Sequence, residues 1–283
     1  MSDYKGREGI EFYPQELVLY EYIENGKQTD IAVTLKNVQM KKSKFKVPQF
    51  HVFIEKKYLR PLVRGVDITP FRIDSKFIVP FAYDSNYSKR VAIKEEVLRE
   101  NSPLLFKHFS LYKELFEAQN SYSKKIINGE HIPYYSMARV GDYTFAPYHV
   151  AFRDNTKNVA CVVTLLPMPW GEKIAPVFQN HAVTISQRPN GEYISLDEAY
   201  YIAGIINSDV VCEFVKISSD GRSYPIHPRY RIPLYGNINI LAYQKKIVQL
   251  SKKAHENNAN ENLIKSITQE ISAIYLEMLS ALE

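Results

Sequence analysis

Two cysteines in 283 residues leave no material for a disulfide framework. Cys161 sits in the apolar run NVACVVTLL and Cys212 in DVVCEFV, so both read as buried thiols. A reducing, cytoplasmic setting is therefore expected. No apolar run reaches the roughly 18 residues that a membrane helix requires, and MSDYKGREGI lacks the hydrophobic stretch of an export signal. Catalytic signatures are missing too. There is no GxGxxG, no Walker lysine motif, no HExxH and no GxSxG nucleophile turn. Neither cysteine has a partner at zinc spacing, and the histidines show no paired-ligand spacing. No catalytic residue and no metal ligand is assigned on this basis.

What is present is a chain of ordinary hydrophobicity, 45%, long enough for one large domain or two modest ones. Its 21 tyrosines are many for this length, and Tyr serves binding surfaces as well as cores. The net charge of +5 is mildly basic and permits a polyanionic partner without demanding one.

Residues 1–55 read as mainly extended, with TDIAVTLKN and VPQFHVFIE as strands. Between them NVQMKKSKFK carries Lys41, Lys42, Lys44 and Lys46, a solvated loop or a phosphate-facing one. Next comes YLRPLVRGVDITPF, residues 58–71. Its Pro61 and Gly65 suit neither a long helix nor a central strand. Arg60 and Arg64 there would form an ion pair with a carboxylate such as Asp67, unless they serve a ligand.

FIVPFAY reads as a strand. NSPLLFKHFSLYKELFEAQN reads as a helix with Leu105, Phe109, Tyr112 and Phe116 on one face, Ser102 as N-cap and Pro103 in the first turn. YTFAPYHVAFRD through HAVTISQ suggests broken strands. SLDEAYYIAGIINS predicts a helix opened by a Ser195–Glu198 capping box, with VVCEFVKI a second, short helix. A polar loop with Arg222, Arg229 and Arg231 follows, then two amphipathic helices joined by NNAN. Ile240, Tyr243, Ile247 and Leu250 share a face of the first; Ile264, Ile267, Ile271, Ile274 and Leu279 that of the second.

One weak nuclease pattern exists: Glu55 and Lys57 form E-x-K, with Asp30 upstream. Magnesium nucleases use such an acid to hold the metal and such a lysine to activate water.

The order of these landmarks resembles the target-recognition domain of Taq-like N6-adenine DNA methyltransferases and of the related type IIG restriction-modification enzymes. YLRPLVRGVDITPF is similar to the segment that opens that region. FIVPFAY, PLLFKHFSLYKELFEAQ, PYYSMAR, APYHVAFRD, AYYIAGIINSDVV, RYRIPLY and AYQKKIVQLSKKA follow in the family's order, and GIEFYPQELVLY resembles the stretch leading in. Two positions depart from the pattern: Pro133 replaces a tryptophan, and Ala146 or His149 a lysine. The family's catalytic Asn-Pro-Pro-Tyr loop has no counterpart, since the chain has no Pro-Pro dipeptide, and the glycine-rich turn for S-adenosylmethionine is missing.

The resemblance implies an α+β fold: a mixed, β-rich recognition domain over residues 56–240, an extended lead-in over 1–55, and a helical C-terminal segment over 241–283. It implies duplex DNA as one partner and a methyltransferase catalytic domain or subunit as the other, with S-adenosylmethionine bound there and not on this chain. The DNA-contacting residues would be Lys41, Lys42, Lys44, Lys46, Arg60, Arg64, Tyr134, Tyr135, Arg139, Arg153 and Arg222. A magnesium nuclease, or a protein-interaction module using the C-terminal helices, are the competing readings.

Overall fold

A computed structural model describes residues 2–40, 47–119, 132–154, 157–219 and 227–283. The fold is α+β. In chain order its strands are β1 (Tyr20–Tyr22), β2 (Ala32–Asn37), β3 (His51–Glu55), β4 (Leu59–Val63), β5 (Ile68–Thr69), β6 (Arg72–Ile73) and β7 (Phe77–Pro80). After the helices α1 (Glu95–Asn101), α2 (Pro103–Leu111) and α3 (Lys113–Gln119) come β8 (His149–Arg153), β9 (Ala160–Val163), β10 (Leu166–Pro167), β11 (Lys173–Ile174), β12 (Val177–Phe178) and β13 (Ala182–Ile185). The remaining helices are α4 (Leu196–Asn207), α5 (Asp209–Ser218), α6 (Leu241–Glu256) and α7 (Glu261–Ser280). None of the described helices is long and apolar enough to cross a membrane.

A six-stranded sheet runs β12-β4-β7-β1-β2-β3, antiparallel throughout except for the parallel β12–β4 pair. The segment 59–63, expected to resist an interior strand, lies inside it. The register shows how Pro61 is tolerated. Phe81 donates to the Tyr58 carbonyl at 2.7 Å, so alternation makes Pro61 opposite Ile78 a non-hydrogen-bonded pair. The missing donor of Pro61 is turned from β7 toward β12, where pairing starts only at Leu62.

Leu35, Ile54, Leu59, Leu62 and Ile78 pack on Leu105 and Phe109 of α2. Ser102 precedes α2 as expected, but its side chain makes no capping bond. Glu55, at the end of β3, does that work: its two carboxylate oxygens accept from the Leu104 and Leu105 amides at 2.9 Å each. A buried carboxylate suits the positive end of a helix better than a hydroxyl. The expected single helix breaks at Tyr112, and a short helix, α1, precedes it.

A second sheet runs β13-β8-β9. Val150, Phe152, Val183 and Ile185 on it pack with Ile202, Ile205 and Ile206 of α4. Helices α6 and α7 complete this core through Ile247, Ile267 and Ile271. A Cβ on Gly204 would stand 2.8 Å from Ile247 Cγ2, so α4 and α6 meet where the chain has no side chain. Asn207, closing α4, uses its amide as a strand partner. Its Oδ1 accepts from the Ala160 amide and its Nδ2 donates to the Ala160 carbonyl, both at 2.8 Å. His255 of α6 satisfies the same strand further along, accepting from the Val162 amide at 2.9 Å.

A third cluster, including Val63, Ile68, Ala151, Cys161 and Phe178, joins the two sheets. The divisions drawn at 55/56 and 240/241 both cross continuous structure. β1–β3 share a sheet with β4 and β7, and α6 packs on α4.

Candidate nucleic-acid interface

Arg60 and Arg64 are held differently. Arg60, partly buried in β4, donates through Nη1 to the carbonyls of Leu59 (2.9 Å) and Lys57 (3.2 Å). Burial lowers its pKa, and Asp84 nearby opposes the shift. Arg64 precedes a turn of 3₁₀ helix, Gly65–Asp67, and grips Asp67 bidentately: Nε to Oδ2 at 3.2 Å, Nη2 to Oδ1 at 2.9 Å. The same Oδ2 accepts from the Arg64 amide at 2.9 Å. The guanidinium also lies 4.1 Å from the Phe77 ring centroid. Of the two roles the sequence left open for Arg64, the pair with Asp67 is present. Gly65 also has a structural explanation, because a Cβ there would meet the His181 carbonyl oxygen at 2.5 Å.

Tyr134 and Tyr135 of PYYSMAR are buried, at 5% and 3% exposure. Tyr135 stacks on Phe109 at 5.1 Å, and Tyr134 lies against Phe116. Both rings belong to the core around α2 and α3 and leave no exposed face on which a base could stack, which corrects the expectation that they touch DNA. Arg139, from the same stretch, is partly buried in a left-handed conformation, φ 61°. It pairs with Glu8 at 2.7 Å and approaches Glu11 at 3.8 Å. Arg153 ends β8, half-buried, opposite Ala182. Lys41, Lys42, Lys44, Lys46 and Arg222 lie outside the described residues.

Around Arg139 the fold assembles cations that the sequence reading passed over. Burial raises the Tyr143 pKa; Arg7, Arg139 and Arg90 lower it, and Glu8 raises it. Arg7 stands 5.8 Å from the Tyr143 ring centroid. Beside it Lys89 donates to the Tyr193 hydroxyl at 3.2 Å, and that hydroxyl donates to the Asp142 carbonyl at 3.0 Å. Lys5, Arg7, Lys89 and Arg90 enter no ion pair among the described residues. The alternation in K-G-R at 5–7 was the one available signal. Lys5 and Arg7 face out while Tyr4 is buried.

Arg188 reaches the same region differently. It grips Glu198, whose side chain has no exposure, through Nε and Nη2 at 2.8–3.0 Å. Glu198 also accepts from the Tyr4 hydroxyl at 2.6 Å and from the Ser195 amide at 3.2 Å, so the expected capping box is a hub.

The E-x-K carboxylate is spent on α2, and Lys57 donates to Asn101 at 2.9 Å. Among the described residues no group of three or more His, Cys, Asp or Glu is placed to hold a metal ion. Burial pushes the Cys161 thiol up to about 12 and raises that of Cys212, which suits packing and not nucleophilic work.

Compared with known proteins, the chain matches no family model and no curated sequence.

Proposed function

We propose that this chain is the DNA sequence-recognition part of an N6-adenine DNA methyltransferase or of a related restriction-modification enzyme. It binds duplex DNA for a catalytic domain or subunit that carries S-adenosylmethionine and flips the adenine. The observation that carries this reading is the basic surface around Tyr143 and Tyr193, where Arg7, Lys89 and Arg90, with Lys5 beside Arg7, outnumber the nearby carboxylates of Glu8 and Asp142 and form no close ion pair among the described residues. An excess of cations on one face is the footprint of phosphate binding. Arg139 reaches that face from the PYYSMAR stretch, which carries part of the resemblance.

The competing readings draw less support. A metal-holding Glu55 would have to abandon the two amides of α2. The apolar faces of α6 and α7 are already occupied by the chain itself.

The test is binding of the full chain to a randomised duplex library at about 50 mM salt, followed by sequencing of the retained fraction. Enrichment of a short motif, with affinity falling steeply as salt rises, is the expected result. Retention without enrichment would reduce the reading to non-specific DNA binding, and no retention would overturn it.

A further inference from the structure

An open cleft of about 130 Å³ lies between the N-terminal extended segment and the turn at 188–191. Lys5, Arg7, Gln187, Arg188, Pro189 and Gly191 line it, with no acidic side chain among them. Both walls are fixed. On one side Arg7 exchanges two backbone hydrogen bonds with Thr184 of β13, each 2.8 Å. Tyr4 is tied inward through its hydroxyl to Glu198, so alternation leaves Lys5 and Arg7 outward.

On the other side the R-P-N-G turn is closed by Gly191 N–H to the Arg188 carbonyl at 3.0 Å and Arg188 N–H to the Glu192 carbonyl at 2.8 Å. Gly191 takes φ +89°, a conformation that favours glycine, and Gln187 Nε2 donates to its carbonyl at 3.0 Å. Glu198 neutralises Arg188 and holds its orientation, leaving Nη1 outside that pairing. Lys5 and Arg7 have no such counter-charge.

We propose that this cleft is a seat for a phosphate group, with Lys5 and Arg7 supplying charge and Arg188 an oriented donor. The size fits a group and not a whole ligand. A water occupies roughly 30 Å³, so the space takes a phosphate with part of its hydration. It falls short of the roughly 300 Å³ at which drug-sized pockets begin. Charge without an acid in the lining selects an anion, and a pre-oriented guanidinium selects one with several oxygens. The phosphate is either a diester of nucleic acid or the terminal group of a small phosphorylated ligand. The seat stands independently of the DNA reading.

The experiment uses the full chain and the K5Q/R7Q variant. Both side chains are exposed, so an unchanged melting temperature is expected; if the double variant melts lower, K5Q alone replaces it. Amide NMR shifts are followed during titration with inorganic phosphate and, at matched ionic strength, with chloride. Saturable shifts at Arg7, Arg188 and Gly191 with phosphate only, lost in the variant, support the seat. Shifts that chloride reproduces, or that persist in the variant, overturn it.

A second arm measures duplex DNA binding against salt. A slope of log K on log salt flattened by roughly 1.8 in the variant, at about 0.9 per contact, supports the seat and identifies the source as a phosphodiester. An unchanged slope beside saturable phosphate binding supports the seat for a small phosphorylated ligand and removes DNA from this cleft. The failure of one reading is therefore distinguishable from the failure of the other.

Discussion

Arg60 and Arg64 lie four residues apart and do different work. Arg64 is locked onto Asp67, which is 7% exposed, and stacks on Phe77, so its loss strands a buried carboxylate. Arg64→Ala is expected to lower stability by about 1.5–3 kcal/mol, the range for hydrogen bonds to charged groups, and to weaken DNA binding equally for all sequences. Thermal melts beside library binding check this. A loss confined to one base position, with an unchanged melting temperature, would return Arg64 to base contact.

Two histidines, His149 and His255, tie stability to pH. Burial drives both from 6.5 down to about 4, so both are neutral in the fold. His255 donates from Nδ1 to the Ser251 carbonyl at 2.7 Å, which leaves Nε2 as the acceptor for Val162. Between these two pKa values the unfolded chain binds protons that the folded chain refuses. Stability is therefore full above about pH 6.5 and is lost as pH falls toward 4, by up to about 3 kcal/mol for each histidine. Urea midpoints of wild type and His255→Gln at pH 7 and pH 4.5 test it. The variant should lose less stability between the two; equal losses would mean that His255 titrates normally.

Among elements, α2 shows a cap supplied from far along the chain. Ser102 and Pro103 mark its start, as the sequence predicts, yet the acceptor for its first amides comes from β3 through Glu55. No local window contains that pairing, because it forms only when the sheet and the helix are both in place. Glu55→Gln should cost about 1–2 kcal/mol, since it removes the charge and turns an amide donor toward amide donors. Thermal shift with and without magnesium measures both questions together. Magnesium stabilising wild type but not the variant would revive a metal role for Glu55.

The α4 helix is more legible. Its capping box is local, and both predicted partners meet. What the sequence could not supply is why the helix ends in Asn207: the amide pairs with Ala160, a strand residue 47 positions away. Tyr134 and Tyr135 are the counter-case. An aromatic pair beside polar residues reads equally as a stacking platform or as core, and the position of α2 and α3 decides for core.

At the scale of the molecule, the C-terminal helices finish a core and do not stand apart. Ile267, Ile271, Tyr275 and Met278 of α7 are buried against α4 and α6. At about 1.5–3 kcal/mol per buried side chain, these four supply roughly 6–12 kcal/mol, comparable with the roughly 5–15 kcal/mol by which a whole domain is stable. Deleting residues 260–283 should leave the chain unfolded or aggregated, as seen by circular dichroism and size exclusion. A truncated chain that stays monomeric with its original melting temperature would separate α7 from the core.

The α+β class came with the resemblance, while the sequence by itself determined helical character at 103–119, 196–207 and 241–280 and the strands at 32–37, 51–55 and 149–153. Each follows from a period or a cap read within a dozen residues. Only the tertiary structure decided that 59–63 is an interior strand, because the harm of Pro61 depends on which neighbour its missing donor faces. It alone decided that Arg64 meets Asp67, that Glu55 caps α2, and that Lys5 and Arg7 join Arg188 across more than 180 residues of chain. Periodicity is a property of neighbours along the chain. Charge compensation and cleft formation are properties of neighbours in space, and folding is what makes the second set out of the first.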